Sequence, residues 1–144
     1  MTWPMVNTSS SFVTITPSVK SLTTAQLLTQ PLVIFPRESA PSLYDSILSF
    51  YHRQGATPSI AQEAIQMQTI VNLVSAGLGI ALVPKAIATL RRAGVVYRRL
   101  PSSLAKTGPR CETSLVWSKS AGPIVAGFVD YVRQHAKLQR VGRT

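Results

Sequence analysis

The chain has 144 residues, 45% hydrophobic and 14% charged, which makes one ordinary domain or two small lobes and excludes both a long multidomain protein and a disordered chain. Its formal net charge of +10, from fifteen Lys and Arg against five Asp and Glu, makes nucleic acid the first partner to weigh. One cysteine and two histidines leave no intrachain disulfide and no basis for a Cys/His metal cluster, so neither a metal nor a cofactor is expected.

The charge is unevenly spread. Residues 1–90 hold four bases (Lys20, Arg37, Arg53, Lys85) and three acids (Glu38, Asp45, Glu63), while residues 91–144 hold eleven bases and two acids. The opening Met1-Thr2-Trp3-Pro4 has no basic region followed by an apolar run, so no signal peptide is read and the cytoplasm is the expected compartment.

In chain order, residues 1–20 are rich in Ser and Thr, and Phe12-Val13-Thr14-Ile15-Thr16 alternates as a strand with apolar and polar faces. Leu32-Val33-Ile34-Phe35, an apolar run bounded by Pro31 and Pro36, has the pattern of a strand buried on both faces. Ser42 to Asp45 reads as a capping box with Asp in place of Glu, opening a helix striped by Leu43, Ile47, Phe50 and Tyr51 and ended by Gly55. A short strand near Ser59-Ile60-Ala61 precedes a helix carrying Met67, Ile70, Val71 and Val74, with Gly77 at its C-terminus.

Ile80 to Val83 is then a second buried strand stopped by Pro84, and Lys85 to Arg92 a short helix with Ala86, Ile87 and Leu90 inward. Gly94 ends that helix and Val95-Val96-Tyr97 opens another strand. Residues 101–110 are loop by composition. A strand from Thr113 to Trp117 and a helix from Ile124 to His135, striped by Val125, Phe128, Val129 and Val132, close the fold. Strands alternating with helices indicate an α/β class with a largely parallel sheet.

Between Glu63 and Lys85 lie 21 uncharged residues, about the length that spans a bilayer. Gln66, Gln68 and Asn72 would face lipid, and Gly77, Gly79 and Pro84 interrupt the run, so no membrane partner is expected.

The segment from Gln62 to Pro84, with Leu73-Val74-Ser75-Ala76-Gly77-Leu78-Gly79-Ile80 leading into Val83-Pro84, resembles the central stretch of the effector-binding domain of LysR-type transcriptional regulators. Leu22 to Leu28 followed by Gln30-Pro31-Leu32-Val33-Ile34-Phe35-Pro36-Arg37 is similar to that domain's entry, and Leu115-Val116-Trp117 with Phe128-Val129 to its last strand and helix. The resemblance implies a periplasmic-binding-protein-like fold: residues 21–100 a complete second subdomain, residues 101–144 the hinge return with the last strand and helix of a partial first subdomain and a basic tail, and residues 1–20 a poorly matched segment. It also implies that a winged helix-turn-helix lies outside this chain and that DNA is met only through that absent domain; with the first subdomain partial, the Val125-Phe128-Val129-Val132 stripe lacks part of its cover, so homo-oligomers are expected.

In such sheets ligands sit beyond the carboxyl ends of strands, near helix N-termini. Three places qualify: Pro36-Arg37-Glu38-Ser39, Gln62-Glu63, and Val83-Pro84-Lys85. The resemblance implies that a small effector is held in a cleft where these loops lie. Arg37 and Lys85 suit an anionic group, Arg as a bidentate fork and Lys as a point charge, whereas solvated loop charge is the commoner fate of both residue types. Ser39 or Ser42 reads as a helix cap, and Glu63 as a partner for a helix N-terminus. His52, His135 and Cys111 have no partners that form a catalytic set, so no enzyme is expected. Arg91, Arg92, Arg98 and Arg99, with Lys137, Arg140 and Arg143, form a basic stripe that is a solvated face or a weak phosphate contact. The function so read is effector sensing for a LysR-type regulator; a small cytoplasmic solute-binding module of the same fold is the alternative.

Overall fold

A computed structural model of the chain describes residues 5–17 and 23–135, with side-chain surroundings from residue 12 onward. The chain divides into two compact units, residues 11–110 and residues 1–10 with 111–144.

The larger unit is built on five strands. β1 (Met5–Pro17), whose residues from Ser11 onward belong to this unit, lies antiparallel to both β4 (Ala81–Pro84), with Val13 opposite Val83, and β5 (Val95–Arg99), with Ile15 opposite Tyr97. β2 (Leu32–Ile34) pairs in parallel with β3 (Ile60–Glu63), and a parallel bridge from Leu32 to Ile80 joins β2 to the approach of β4. The order is therefore β3-β2-β4-β1-β5. β2 to β5 all run one way and β1 alone runs the other, which agrees with the expected parallel character and adds one reversed strand. The carboxyl ends of β2, β3 and β4 consequently meet at one edge.

Position in the sheet decides burial. β2, flanked on both sides, buries Leu32, Val33 and Ile34 completely, as its uninterrupted apolar run demands, while β3 at the margin is exposed throughout. The alternation in β1 suggested one wet face, yet Thr14 and Thr16 are as buried as Val13 and Ile15. With neighbours on both sides, β1 takes its threonines inside, and the Thr14 hydroxyl donates to the Arg98 carbonyl at 3.1 Å.

α2 (Pro41–Arg53) and α3 (Met67–Ser75) supply the apolar stripes expected of them: Ile47, Phe50 and Tyr51 from the first, Ile70, Val71 and Val74 from the second, all fully buried. Removing each such side chain from water contributes roughly 1.5–3 kcal/mol. Gly77 ends α3 at φ +86°. Gly79, at φ +154°, lies so close to Pro31 that a Cβ would stand 2.1 Å from the Pro31 carbonyl oxygen. That close approach lets the Ile80 N–H donate to the Pro31 carbonyl at 2.9 Å and the Val33 N–H to the Ile80 carbonyl at 2.8 Å, the bonds that join β2 to β4.

Several local expectations are corrected. Helix α2 starts at Pro41 with Ala40 as an N-cap that makes no side-chain bond, so the Ser42 capping box does not form; proline's fixed φ favours the first helical position. A capping box does form where none was read, between Thr23 and Gln26 at the head of α1 (Thr24–Thr29). The second strand runs on to Glu63 because it pairs with β2 as far as Ile34. The helix expected over 85–92 is a 3-10 turn, Lys85–Thr89, with Ala86 exposed. The carbonyls of Leu90 and Ala93 are taken by the Tyr97 and Ser75 hydroxyls, which directs the chain out of helix and into β5. Residues 101–110 contain a short helix, α4 (Ser102–Ala105), organised around buried Leu104. The long uncharged run resolves into α3, a turn and β4, and no helix among the described residues is long and apolar enough to cross a membrane.

β6 (Arg110–Val116), whose residues from Cys111 onward belong to the smaller unit, pairs with β1 and is followed by α5 (Pro123–His135). Of the expected stripe on α5 only Val129 is fully buried; Val132 is half-buried, and Phe128 is 56% exposed. Lys137, Arg140 and Arg143 of the basic stripe lie outside the described residues.

Candidate functional site

The edge where β2, β3 and β4 end carries the candidate site. The pairing of Ile34 with Glu63, continued by the Ala64 N–H donating to the Ile34 carbonyl at 3.0 Å, sets the two exits side by side. Each strand leads through a short connection into a helix whose N-cap, Ala40 for α2 and Gln66 for α3, makes no side-chain capping bond. The first N–H groups of a helix have no partner within it. Proline at the first position of α2 has no N–H, so Ser42 and Leu43 present free donors there, and Met67, Gln68 and Thr69 present them on α3. Two helix N-termini, each with partial positive charge, open at the same edge.

The structure brings the residues singled out from the sequence to this edge and gives them unequal parts. Pro36 is half-buried at the exit of β2, and Arg37, Glu38 and Ser39 form an exposed 3-10 turn. Arg37 is committed: its Nε and Nη2 donate to the two carboxylate oxygens of Asp45 at 2.9 and 2.7 Å. This fork raises the Arg37 pKa, and the same hydrogen bond with its Coulombic attraction holds the Asp45 carboxyl below the usual carboxylate range. Ser39 and Ser42 cap no helix. Gln62 and Glu63 belong to β3 itself rather than to the loop after it, both exposed, with the Gln62 side-chain amide donating to the Glu63 carbonyl at 3.2 Å. Glu63 does not cap α3. Val83 is buried within β4, Pro84 is half-buried, and Lys85 is an exposed cation with no ion pair among the described residues.

Side-chain charge at this edge nearly cancels, with Arg37 and Lys85 set against Glu38, Asp45 and Glu63. The donors that remain uncompensated are the backbone N–H groups of α2 and α3. The sequence placed helix N-termini at these strand ends but assigned Ser42 as a cap for the first of them, which leaves the open start of α2 as the correction. The available signal was Pro41 preceded by Ala40, a proline at the first helical position with no side chain before it able to cap.

Among the described residues no three His, Cys, Asp or Glu side chains gather to hold a metal ion. Cys111 is a half-buried free thiol, His135 stacks on Tyr131 at 4.1 Å between ring centroids, and His52 is exposed on α2. Among the described residues these three side chains do not come together.

Residues 13–137 match the family described as the LysR substrate binding domain. The chain belongs to this family. Its relatives are bacterial transcriptional regulators. HTH-type transcriptional regulator IlvR of Caulobacter vibrioides is 43% identical over 111 residues, covering 76% of this chain and 36% of that protein. HTH-type transcriptional regulator TfdS of Cupriavidus pinatubonensis is 31% identical over 112 residues, covering 78% and 37%. The chain thus spans little more than a third of the length of these curated relatives. Among solved structures, the LysR family regulator CbnR superposes with a TM-score of 0.70 at 24% identity, over 93% of this chain and 48% of that one. The BenM effector binding domain with its effector benzoate superposes with a TM-score of 0.66 at 15% identity, over 91% and 62%. At these identities the likeness is one of fold, and it agrees with the periplasmic-binding-protein-like architecture expected from the sequence.

Proposed function

We propose that the larger unit holds a small effector bearing an anionic group, seated on the free N–H groups at the starts of α2 and α3. The observation that carries this reading is the pair of uncapped helix N-termini at the ends of adjacent parallel strands. An anion there accepts several oriented N–H donors at once. Lys85 adds a charge-assisted donor from the end of β4. Arg37 contributes only by leaving Asp45, so it ranks below Lys85, the reverse of the order suggested by residue type alone. Binding and release would shift a conformational equilibrium in a cytoplasmic regulator that is homo-oligomeric, uses no catalysis, and meets DNA through an N-terminal domain outside the matched residues.

The test uses benzoate as the probe and benzamide as its neutral counterpart, with backbone amide shifts read by NMR. Benzoate should move the amides of Ser42, Leu43 and Met67 to Thr69 saturably, and benzamide should not. Lys85→Gln should weaken the affinity by about ten-fold, the loss of one charge-assisted hydrogen bond of roughly 1.5 kcal/mol. Equal responses to benzoate and benzamide at these amides would refute the anionic assignment, and a folded chain whose shifts fall elsewhere would refute the site.

A further inference from the structure

The opposite edge of the same sheet, where β5 begins, holds a second concave feature. An open depression of about 560 Å³ lies between the segment after Lys85–Thr89 and the start of β5, lined by Arg91, Arg92, Val95, Val96 and Tyr97 among others. Its volume is in the range of pockets that take small molecules, roughly 300–1,000 Å³.

The segment carrying the two arginines is fixed rather than loose. The Ser75 hydroxyl of α3 donates to the Ala93 carbonyl at 2.8 Å, the Tyr97 hydroxyl donates to the Leu90 carbonyl, and the Leu90 N–H donates to Ile87 at 2.9 Å. Gly94 turns the chain at φ +83° with Ser75 Oγ 3.2 Å from where a Cβ would stand. Arg91 and Arg92 are exposed at the rim and make no ion pair among the described residues. No carboxylate lines the depression: Asp45 and Asp130 are held by Arg37 and Arg133, Glu38 and Glu63 sit at the far edge of the sheet, and Glu112 lies on β6. Two adjacent guanidinium forks on a pinned turn, with no ion-pair partner among the described residues, match the oxygens of a phosphate group. The Tyr97 ring and the two valines give the depression an apolar wall.

We propose that this depression is a second ligand site, taking a phosphate monoester of about mononucleotide size with its phosphate on Arg91 and Arg92 and its organic part against Tyr97 and Val95. The site is independent of the effector reading above, since it uses the other edge of the sheet. A concave surface with two clustered cations suits a compact ligand better than a duplex, which offers phosphates spaced along an extended rod.

Titration of the whole chain with AMP, adenosine and inorganic phosphate, followed by backbone amide NMR, tests this. AMP should shift the amides of Ala88 to Tyr97 saturably and leave those of Ser42 and Leu43 in place. Adenosine should bind at least ten-fold more weakly than AMP, and inorganic phosphate should shift the same amides more weakly. Arg91→Gln combined with Arg92→Gln should weaken AMP by ten-fold or more while the benzoate response is retained. Arg92→Lys, which keeps the charge and loses the fork, should also weaken AMP and stands in if the double variant does not fold. Unchanged AMP affinity in these variants, or no saturable shift at Ala88 to Tyr97, would overturn the proposal. Tighter binding of a short DNA duplex than of AMP, with affinity falling linearly on a log–log salt plot, would overturn it in favour of nucleic-acid backbone contact.

Discussion

Gly79→Ala is expected to be among the most damaging single-methyl additions to the chain. The added Cβ would stand 2.1 Å from the Pro31 carbonyl oxygen and 2.8 Å from its carbon, both backbone atoms that no rotamer change can move, and the backbone at φ +154° is one that L side chains rarely adopt. The strain costs about 1–3 kcal/mol. Relieving it means parting β2 from β4, at the expense of two hydrogen bonds, Ile80 N–H to Pro31 at 2.9 Å and Val33 N–H to Ile80 at 2.8 Å, each contributing about 1 kcal/mol. A total of roughly 3–5 kcal/mol corresponds to a fall in Tm of about 10–15 °C for a domain of this size. Gly77→Ala is the control: at φ +86° with nothing within 4 Å of its Cβ, it should cost only the left-handed strain of roughly 1–2 kcal/mol. Thermal melts followed by circular dichroism measure both. Because the same bonds set the ends of β2 and β4 relative to each other, Gly79→Ala should also weaken any benzoate response at Ser42 and Leu43. A Gly79→Ala melt within about 2 °C of the parent, or no lower than that of Gly77→Ala, would refute the account of how β2 and β4 are joined.

The other predictions concern groups whose surroundings are equally specific. Tyr51 is fully buried with a hydroxyl that has no partner among the described residues, and desolvation pushes its pKa up to about 12. Stability should therefore fall as pH rises from about 10, where the unfolded phenol ionises, toward 12, by up to roughly 2–3 kcal/mol; Tyr51→Phe should abolish that fall and be neutral or stabilising at pH 7, and a destabilised Tyr51→Phe would mean the hydroxyl has a bound partner. The Asp45 carboxyl, depressed by the Arg37 fork, should titrate higher in Arg37→Gln by carbon-detected NMR. Its small contribution to stability is present above the ordinary carboxylate pKa and lost as pH falls through the lowered value. Val71→Asp places a carboxylate at a site with no exposure and should cost several kcal/mol, seen as loss of soluble folded protein. Ile124, Phe128 and Tyr131 of α5 are 89, 56 and 59% exposed, a patch that favours association. Sedimentation should show self-association that Ile124→Ser with Phe128→Ser reduces, and a monomer in the parent at the same concentration would contradict this.

Where the sequence pattern and the packing make the same demand, the elements were legible. The apolar run at Leu32 to Phe35 could only be a strand covered on both faces, and Ile70, Val71 and Val74 at helical spacing had to face a core. The misread elements lie where one local rule was overridden by a neighbour. Ser42 looked like a cap, but Pro41 had already started the helix. Residues 85–92 looked helical, but side chains from α3 and β5 took the carbonyls at 90 and 93. Residues 101–110 looked like loop, but one buried leucine organised a turn of helix.

Spacing and periodicity indicated the α/β class and the ends of β2 and β4, because burial and turn geometry act through residues near one another in the chain, and the long Gln62 to Pro84 segment carried the resemblance to the family. Tertiary structure alone decided the sheet order β3-β2-β4-β1-β5 and the reversed direction of β1, since pairing partners as far apart in the chain as Val13 and Arg99 leave no local mark. It also decided what the charges do. Arg37, the strongest anion-binding candidate by residue type, is eight positions from Asp45, and only the fold of the 3-10 turn against α2 closes the fork between them. Charge in a sequence names a capacity to bind; whether a partner within the chain has already taken it depends on geometry a few ångströms across.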